Sequence, residues 1–308
     1  MVKTLVAAIR VWHELCVRLA LIACRRTDTN DALARVHGCE ATWEPMTPGR
    51  ALDELRRGDA AVGRLDVLPT LDGMDDGLWA LGALAARGVV VLNDPSALLA
   101  SHDKLLTARL LRRRSLPHPR TQLVREGRPL PVVDREVVLK PRFGSWGREV
   151  TRCKGSAALA SAIERVRDTT WYRRHGALVQ DLVSPQGYDL RVLVAAGRVV
   201  GSIFRVAAAG EWRTNVALGG VRRPVAEPPR DAATLAVAAA RTTGGSLVGV
   251  DLLPDGRGGW TVVEVNGAVE FTRDYAPWGD VYAESALALA HEARQRATCR
   301  EGPTAAAV

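Results

Sequence analysis

The sequence has 308 residues, of which 47% are hydrophobic and 25% are charged, and its formal net charge is +8. This length supports two or three subdomains with substantial cores, and the hydrophobic fraction excludes an intrinsically disordered chain. No apolar run is long enough to span a membrane, and the positive charge favours an acidic substrate or partner.

Residues 1–17 have apolar residues at mostly helical spacing, which predicts an amphipathic helix; a loosely held extension is the alternative. Residues 18–95 then alternate between strands, at 19–23, 60–65 and 89–92, and helices, at 28–36, 51–57 and 77–87. This alternation is typical of a small parallel α/β domain. Its first strand is not followed by Gly-x-Gly-x-x-Gly, so we assign no dinucleotide to it.

Residues 96–176 form the next predicted segment. A helix over 95–114 carries Lys104, which on its own resembles any solvated helix lysine. A strand over 136–141 carries Lys140 near its end, and the segment closes with a returning strand at 149–153 and a helix at 156–166. The arginines at 112–114 indicate a solvated helix face, so we expect no nucleic-acid binding.

A loop with two glycines follows Lys140 and contains Gly144, Ser145, Trp146 and Gly147. The backbone N–H groups of such a loop can cradle a phosphate, and glycine allows a close approach. A neighbouring lysine adds a positive charge that attracts phosphate oxygens. The alternative is a plain tight turn, which the same residues would also form.

Residues 177–296 form a third segment that is rich in strands. The strand predicted at 177–182 ends with Gln180, Asp181 and Leu182, whose backbone groups could hydrogen-bond the edge of an adenine ring. The alternative is a plain strand end. The further predicted elements are a hairpin at 189–194 and 198–205, a helix that Asp231 caps and that runs to Thr243, a second hairpin, and a closing helix at 285–296. We expect the tail, residues 297–308, to be disordered.

Charged side chains alternate along the first hairpin. Asp189 and Arg191 face the same side of their strand, because one residue separates them. Asp189 could bind a ribose hydroxyl, and Arg191 and Arg205 could neutralise a transferring phosphoryl group. Surface ion pairing is the alternative. The loop that carries Arg213 and Asn215 is rich in polar residues and glycine, which suits ligand binding but is also ordinary loop composition.

The second hairpin brings two acidic side chains together. If its turn centres on Arg257–Gly258, Asp251 lies opposite Glu264, and Asn266 shares the face of Glu264. Two carboxylates and an amide oxygen among apolar residues are typical ligands of Mg²⁺. An exposed polar face of an edge hairpin is the alternative interpretation. Glu270 follows this strand closely and would line the same cleft.

The cysteines and histidines do not predict a zinc site, a disulfide framework or a catalytic triad. The five cysteines are widely spaced and contain no Cys-x-x-Cys, which points to a reducing compartment and to neither zinc nor disulfides. We therefore expect a cytoplasmic protein. The six histidines have no serine or cysteine partner at a recognisable spacing, so no catalytic triad is predicted.

Taken in order along the chain, these motifs resemble those of ATP-grasp proteins of the RimK-like branch, and most closely the LysX-like ligases. The most specific matches are Leu139–Arg148 and Glu264–Phe271, and the resemblance covers about residues 90–280. It implies an α/β (α+β) ATP-grasp fold behind an N-terminal parallel α/β domain. The expected boundaries are an extension at 1–17, that domain at 18–95, a central lid subdomain at 96–176, a C-terminal subdomain at 177–296 and a tail at 297–308.

The resemblance also implies a role for each motif. The ATP phosphates would contact Lys104, Lys140 and the loop Gly144–Gly147, adenine would meet Gln180, Asp181 and Leu182, and the ribose would bind Asp189. The resemblance assigns Mg²⁺, or Mn²⁺ in its place, to Asp251, Glu264 and Asn266. It assigns catalytic roles to Arg191, Arg205 and Asn215, and substrate contacts to Arg213, Asn215 and Glu270.

The implied reaction joins a carboxylate to an amine through an acyl phosphate. The expected substrates are an amino acid and an acidic small molecule, peptide or acidic carrier protein, and the family suggests a homo-oligomer. An ATP-grasp kinase and a non-catalytic ATP-binding module are the alternatives. Leu218 and the stretch 267–269 depart from the LysX-like pattern near the acceptor, so the family's own substrate does not carry over directly.

Overall fold

The computed structural model describes residues 17–36 and 41–300. The predicted N-terminal helix lies outside these residues except for Val17, which begins a strand instead. The described chain forms three sheets, two of four strands and one of five.

The first sheet is parallel, with strand order β2-β1-β3-β4, and three helices connect its strands. Its strands are β1 (Val17–Ile22), β2 (Ala41–Met46), β3 (Ala60–Gly63) and β4 (Val90–Leu92). Its helices are α1 (Asp28–Ala34), α2 (Pro48–Glu54) and α3 (Leu78–Ala86). The predicted parallel α/β domain is confirmed, but β2 was missed because an edge strand that contains a glutamate and a proline lacks the apolar run of a buried strand.

Two helices follow where the sequence predicted a single one. They are α4 (Pro95–His102) and α5 (Lys104–Arg113), and Asp103 between them has an extended backbone. The Asp103 carboxylate accepts hydrogen bonds from the backbone N–H groups of Leu105 and Leu106, at 3.1 and 3.3 Å. This N-cap restarts the helix and places Lys104 at its first turn.

The second sheet is antiparallel, with order β5-β8-β6-β7. It comprises β5 (Thr121–Val124), β6 (Glu136–Pro141), β7 (Thr151–Lys154) and β8 (Ala177–Asp181), with helices α6 (Gly155–Val166) and α7 (Thr170–His175). We call residues 121–181 the middle domain. Since β8 pairs with β5 and β6, this strand belongs to the middle domain and not, as predicted, to the C-terminal segment. The Asp181 N–H donates to the Arg120 carbonyl at 2.9 Å, so the two ends of the middle domain lie side by side.

The third sheet is antiparallel, with order β11-β10-β9-β12-β13. Its strands are β9 (Tyr188–Ala195), β10 (Arg198–Val206), β11 (Val221–Pro224), β12 (Leu247–Pro254) and β13 (Trp260–Asn266). Helix α8 (Arg230–Thr243) packs on it together with α4 and α5, which therefore belong with this sheet rather than with the middle domain. Asp231 lies inside α8, so its predicted role as the N-cap is wrong.

The last helix joins the first and third sheets. Helix α9 (Val281–Arg300) begins four residues before its predicted start and continues through the first residues of the predicted disordered tail; residues 301–308 lie outside the described chain. Buried side chains of both sheets, such as Leu19 and Leu193, share one hydrophobic cluster with Leu289 of α9. Burial of that cluster fixes the N-terminal domain against the C-terminal sheet.

Candidate active site

A cleft of about 960 Å³ lies between the middle domain and the third sheet. The charged residues that line it are Lys104, Lys140, Arg148, Asp181, Asp189, Arg205, Arg213, Asp251 and Glu264. A concave site that mixes several cations with several carboxylates suits a polyanionic ligand that carries a metal ion.

The hairpin β12–β13 forms one wall of the cleft. Asp251 pairs with Glu264 across the hairpin, as predicted. The predicted turn is only partly correct, because the chain turns over Asp255–Gly259 and a β-bulge interrupts the register next to Asp251. The extra residue is Val263, which lines the cleft.

Asp251 lies between two arginines. Arg191 donates to its two carboxylate oxygens at 2.6 and 2.8 Å, and Arg205 donates to one of them at 2.8 Å. Burial raises the pKa of the Asp251 carboxyl, but the charges of the two guanidinium groups outweigh burial and hold this pKa well below its usual range. Asp251 is therefore a stable anion at the cleft wall.

Arg205 also binds Asp189, which is its direct partner across β9 and β10. The Arg205 Nε–H donates to one Asp189 oxygen at 2.8 Å, and the Thr214 hydroxyl donates to the other at 2.7 Å. Asp189 is thus hydrogen-bonded through both oxygens while it lines the cleft. Register explains this network, because Asp189, Arg191, Arg205 and Asp251 lie on three adjacent strands.

Two lysines enter the cleft from opposite sides. The Lys104 ammonium binds Glu264 at 2.9 Å and also donates to the Gly144 carbonyl. Lys140 donates to the Gln180 side-chain oxygen at 2.7 Å. Burial, helped by the charge of Lys104 and opposed by Glu264, lowers the pKa of Lys140 to about 8.

The loop Gly144–Gly147, which we call the glycine loop, covers these lysines. The Gly147 carbonyl accepts a hydrogen bond from Arg213 at 3.1 Å, which joins this loop to the loop of Arg213 and Asn215. Trp146 points away from the cleft, where 57% of its surface is exposed and the Arg148 guanidinium lies 5.1 Å from its ring centre. The two loops together form the roof of the cleft.

The structure brings most of the predicted site residues into the cleft wall: Lys104, Lys140, Gly144, Ser145, Gly147, Gln180, Asp181, Leu182, Asp189, Arg205, Arg213, Asn215, Asp251 and Glu264. Trp146, Arg191, Asn266 and Glu270 do not line it. Arg191 lies behind Asp251, and the Asn266 side-chain oxygen accepts from the Ala268 N–H at 3.1 Å.

Glu270 is placed differently from the prediction. Its carboxylate binds Arg64 of the N-terminal domain at 3.0 Å, and 46% of its side chain is exposed. The cleft also contains residues that were not predicted as site residues, namely Pro119, Val138, Pro141, Arg148, Val150, Val183, Pro185, Trp212, Thr214, Leu253 and Val263. Arg148 and Thr214 adjoin predicted motifs, whereas the apolar residues resemble ordinary core residues in sequence.

Candidate ligands for a metal ion lie on the hairpin β12–β13. Within residues 17–36 and 41–300, no three His, Cys, Asp or Glu side chains cluster as metal ligands would. Of the three predicted ligands, Asp251 and Glu264 line the cleft, whereas Asn266 shares the face of Glu264 on β13 but lies outside the cleft wall. Oxygen ligands of this kind fit Mg²⁺.

Two antiparallel sheets that enclose a cleft lined by lysines and carboxylates, beside a parallel α/β domain, define an ATP-grasp protein. Residues 101–276 match the sequence profile of the RimK-like ATP-grasp domain. The chain therefore belongs to the RimK-like ATP-grasp family, and its expected class, an ATP-dependent ligase that forms C–N bonds, is confirmed.

Individual relatives agree with this assignment. The tetrahydromethanopterin:alpha-L-glutamate ligase of Methanosarcina acetivorans is 28% identical over 284 residues, which cover 83% of this chain and 87% of that protein. The alpha-aminoadipate–LysW ligase LysX of Saccharolobus solfataricus is 30% identical over 188 residues, or 60% and 68% of the two chains. The crystal structure of D-alanine–D-alanine ligase from Bacillus anthracis complexed with ATP shares the fold, with a TM-score of 0.67 at 16% identity over 93% of this chain and all of that one.

Among the described residues, no helix is both long and apolar enough to cross a membrane.

Proposed function

We propose that the cleft binds ATP with Mg²⁺ and that the protein joins an amino acid, through its amine, to the carboxylate of a small molecule, peptide or carrier protein. The observation that carries this proposal is the meeting of Lys104, Lys140 and Arg205 with Asp251 and Glu264 in one cleft. The cations suit the phosphates, and the carboxylates suit the metal ion.

The ion pairs within the cleft support this assignment. The Lys104 ammonium neutralises the Glu264 carboxylate at 2.9 Å. A nucleotide phosphate would accept a hydrogen bond from the Lys104 ammonium in place of Glu264. The Glu264 carboxylate would then be free to hold Mg²⁺ together with Asp251 and Asn266. When bound, Mg²⁺ supplies neutralisation of the phosphate charge.

The reaction follows from the same groups. An oxygen of the substrate carboxylate attacks the γ-phosphorus of ATP, the bond to the bridging oxygen breaks, and ADP leaves. The amine nitrogen then attacks the acyl carbon, loses a proton and displaces inorganic phosphate, which leaves an amide. Lys104, Lys140 and Arg205 would stabilise the phosphoryl charge, and the loops of Gly144–Gly147 and Arg213–Asn215 would exclude water from the acyl phosphate.

The names of the relatives suggest the substrate class. One is named as a glutamate ligase acting on a pterin, and another as a ligase of aminoadipate and the LysW protein. Both names pair an acidic amino acid with a second, larger partner. We extend to this chain the shared part, an amino acid joined by an amide bond, and the net charge of +8 favours an acidic partner.

The test is phosphate release from ATP and Mg²⁺ in the presence of a pool of carboxylic acids, a pool of amino acids, or both. Release that needs both pools is the expected result, and subdivision of the pools then identifies the substrates. ADP formation without free phosphate would instead identify a kinase. Stabilisation by ATP–Mg²⁺ without turnover, even when candidate carrier proteins are added, would favour a binding module.

Glu264→Ala tests the metal assignment. We expect a folded variant whose phosphate release falls by at least a hundredfold, because one of the two metal carboxylates is lost. Asp255→Ala, in the exposed turn of the same hairpin, is the matched control and should retain activity. Normal turnover by a folded Glu264→Ala protein would contradict the assignment.

A further inference from the structure

A loop of the N-terminal domain, residues 66–76, reaches into the middle domain. Its Leu71 is 6% exposed and belongs to the hydrophobic cluster of the middle domain, together with Leu139 and Trp171. The loop itself is anchored at its base by the antiparallel bridge between Val67 and Met74. Leu71 is therefore a side chain of one domain buried in the core of another.

Polar contacts surround this buried leucine. The His175 ring Nε2 lies 2.7 Å from the Asp72 carbonyl oxygen, and Arg174 binds the Asp72 carboxylate at 3.0 Å. On the other side, Arg148 donates to the Pro69 carbonyl at 3.4 Å. The loop is thus held by both the end of α7 and the glycine loop.

The backbone of Leu71 has an uncommon conformation. Its φ is +62°, a left-handed conformation that leucine rarely adopts. Such a conformation persists where the surrounding contacts impose it, and it is common at functional sites. Here the Leu71 N–H donates to the Leu68 carbonyl at 2.9 Å, and the turn directs the side chain into the middle domain.

The contact lies directly behind the roof of the cleft. The His175 ring packs edge-to-face on Phe143, with ring centres 5.0 Å apart, and Phe143 immediately precedes Gly144. Phe143 is itself buried. The chain of contacts therefore runs from the 66–76 loop through α7 to the loop that covers Lys104 and Lys140.

We propose that Leu71 and Asp72 are positioning residues that hold the middle domain closed over the cleft and so limit the access of water to the reacting phosphate. This inference rests on the proposed function, because it assigns the closed cleft to ATP. It adds a part for the N-terminal domain, which contributes no residue to the cleft wall described above. Loss of the Leu71 contact should loosen the roof of the cleft without removing any charged group from it.

The test compares Leu71→Ala with Leu68→Ala, the same change at a partly buried residue of the same loop that is not part of the middle-domain cluster. Two quantities are measured in the full-length protein: the dissociation constant for ATP with Mg²⁺, and hydrogen–deuterium exchange in residues 142–148. We expect Leu71→Ala to weaken ATP binding at least fivefold and to speed exchange in that segment. Leu68→Ala should match the wild type, and Leu71→Met should restore both values because it keeps an apolar side chain of similar volume.

The exchange measurement without nucleotide separates this inference from the proposed function. If the wild type does not bind ATP, the proposed function fails, while faster exchange in Leu71→Ala would still support the contact. Unchanged exchange and unchanged ATP binding in folded Leu71→Ala would overturn the inference. If Leu71→Ala does not fold, Arg174→Ala removes the ion pair to Asp72 at an exposed position, and the same two measurements decide.

Discussion

Lys140 is a buried lysine whose protonation state should control nucleotide binding. Burial, with the nearby charge of Lys104, lowers its pKa to about 8, so its charge is lost on the alkaline side of neutrality. We expect the dissociation constant for ATP to rise about tenfold between pH 7 and pH 9, because the neutral amine attracts phosphate weakly. Calorimetric titration at constant ionic strength measures this change.

Deprotonation of Lys140 should weaken ATP binding but increase the free energy of unfolding. Because the folded protein favours the neutral amine, the contribution of Lys140 to stability rises as the pH increases from about 8 towards the ordinary lysine pKa. Weaker ATP binding at high pH therefore cannot result from a loss of folding stability caused by deprotonation of Lys140. Lys140→Met should bind ATP weakly at every pH, and an unchanged affinity of the wild type from pH 7 to 9 would contradict the prediction.

Individual site residues were predictable where local spacing determines their position. The alternation of Glu264 and Asn266 fixes their common face, and the hairpin places Asp251 opposite Glu264. The partner of Asp251 was not predictable in this way. Arg191 is 60 residues away in sequence, and its ion pair with Asp251 depends on the pairing of β9 with β12, which no local pattern specifies.

The glycine loop is an element whose two glycines have different requirements. Gly147 has a φ of +71°, and a Cβ atom there would lie 2.6 Å from the Asn215 side-chain oxygen. A Cβ atom at Gly144 would lie 3.5 Å from Pro141, an ordinary contact. We expect Gly147→Ala to raise the KM for ATP about tenfold, because left-handed alanine costs about 1–2 kcal/mol and the roof must also move.

Gly144→Ala is the matched control for this prediction, measured in the same steady-state assay. It should change the KM for ATP less than threefold, since neither the backbone nor the space is restrictive. Equal effects of the two substitutions would show that the loop does not depend on the conformation of Gly147.

Elements with a strong apolar pattern were predicted well, and short or polar ones were not. The hairpin of β9 and β10 and the strand β6 were correct within two residues. The strands β2, β5 and β11 were missed. They lie at sheet edges, and all four residues of β11 are exposed, so no apolar alternation marks it. Asp103 interrupts the long predicted helix because its side chain caps the helix that follows.

At the scale of the whole molecule, Arg64 fixes the N-terminal domain to the segment that follows β13. Its buried guanidinium donates to the Asn30 side chain at 2.9 Å, the Val269 carbonyl at 2.8 Å and Glu270 at 3.0 Å. We expect Arg64→Ala to lower the free energy of unfolding by about 3 kcal/mol, because buried acceptors on both domains lose their donor. Denaturation with urea, followed by circular dichroism, measures the loss.

Glu270→Gln provides the comparison for Arg64→Ala. An amide can still accept from Arg64, and the side chain is half exposed, so the loss should be below about 1 kcal/mol. If Arg64→Ala were as stable as the wild type, Arg64 would not hold the domains together. If Glu270→Gln instead raised the KM of a substrate, the substrate contact predicted for Glu270 would be supported.

The arrangement of the domains was the least predictable feature. Sequence order placed β8 with the strands that follow it, but pairing places it in the middle sheet. Leu71 shows the same difficulty, since one leucine in a polar loop gives no signal that it packs in a distant core. Contacts of this kind depend on how completed elements pack together, whereas periodicity records only which face of one element is buried.

The adjacent ends of the middle domain make it a separable module. Because Arg120 and Asp181 are hydrogen-bonded neighbours, residues 121–181 leave and rejoin the rest of the protein at one point. A segment connected in this way can be replaced by the corresponding segment of a relative, provided that the new segment keeps a pocket for Leu71. Such a replacement would exchange Lys140 and the glycine loop while Asp251 and Glu264 stay in place, so evolution could alter one wall of the cleft without disturbing the other.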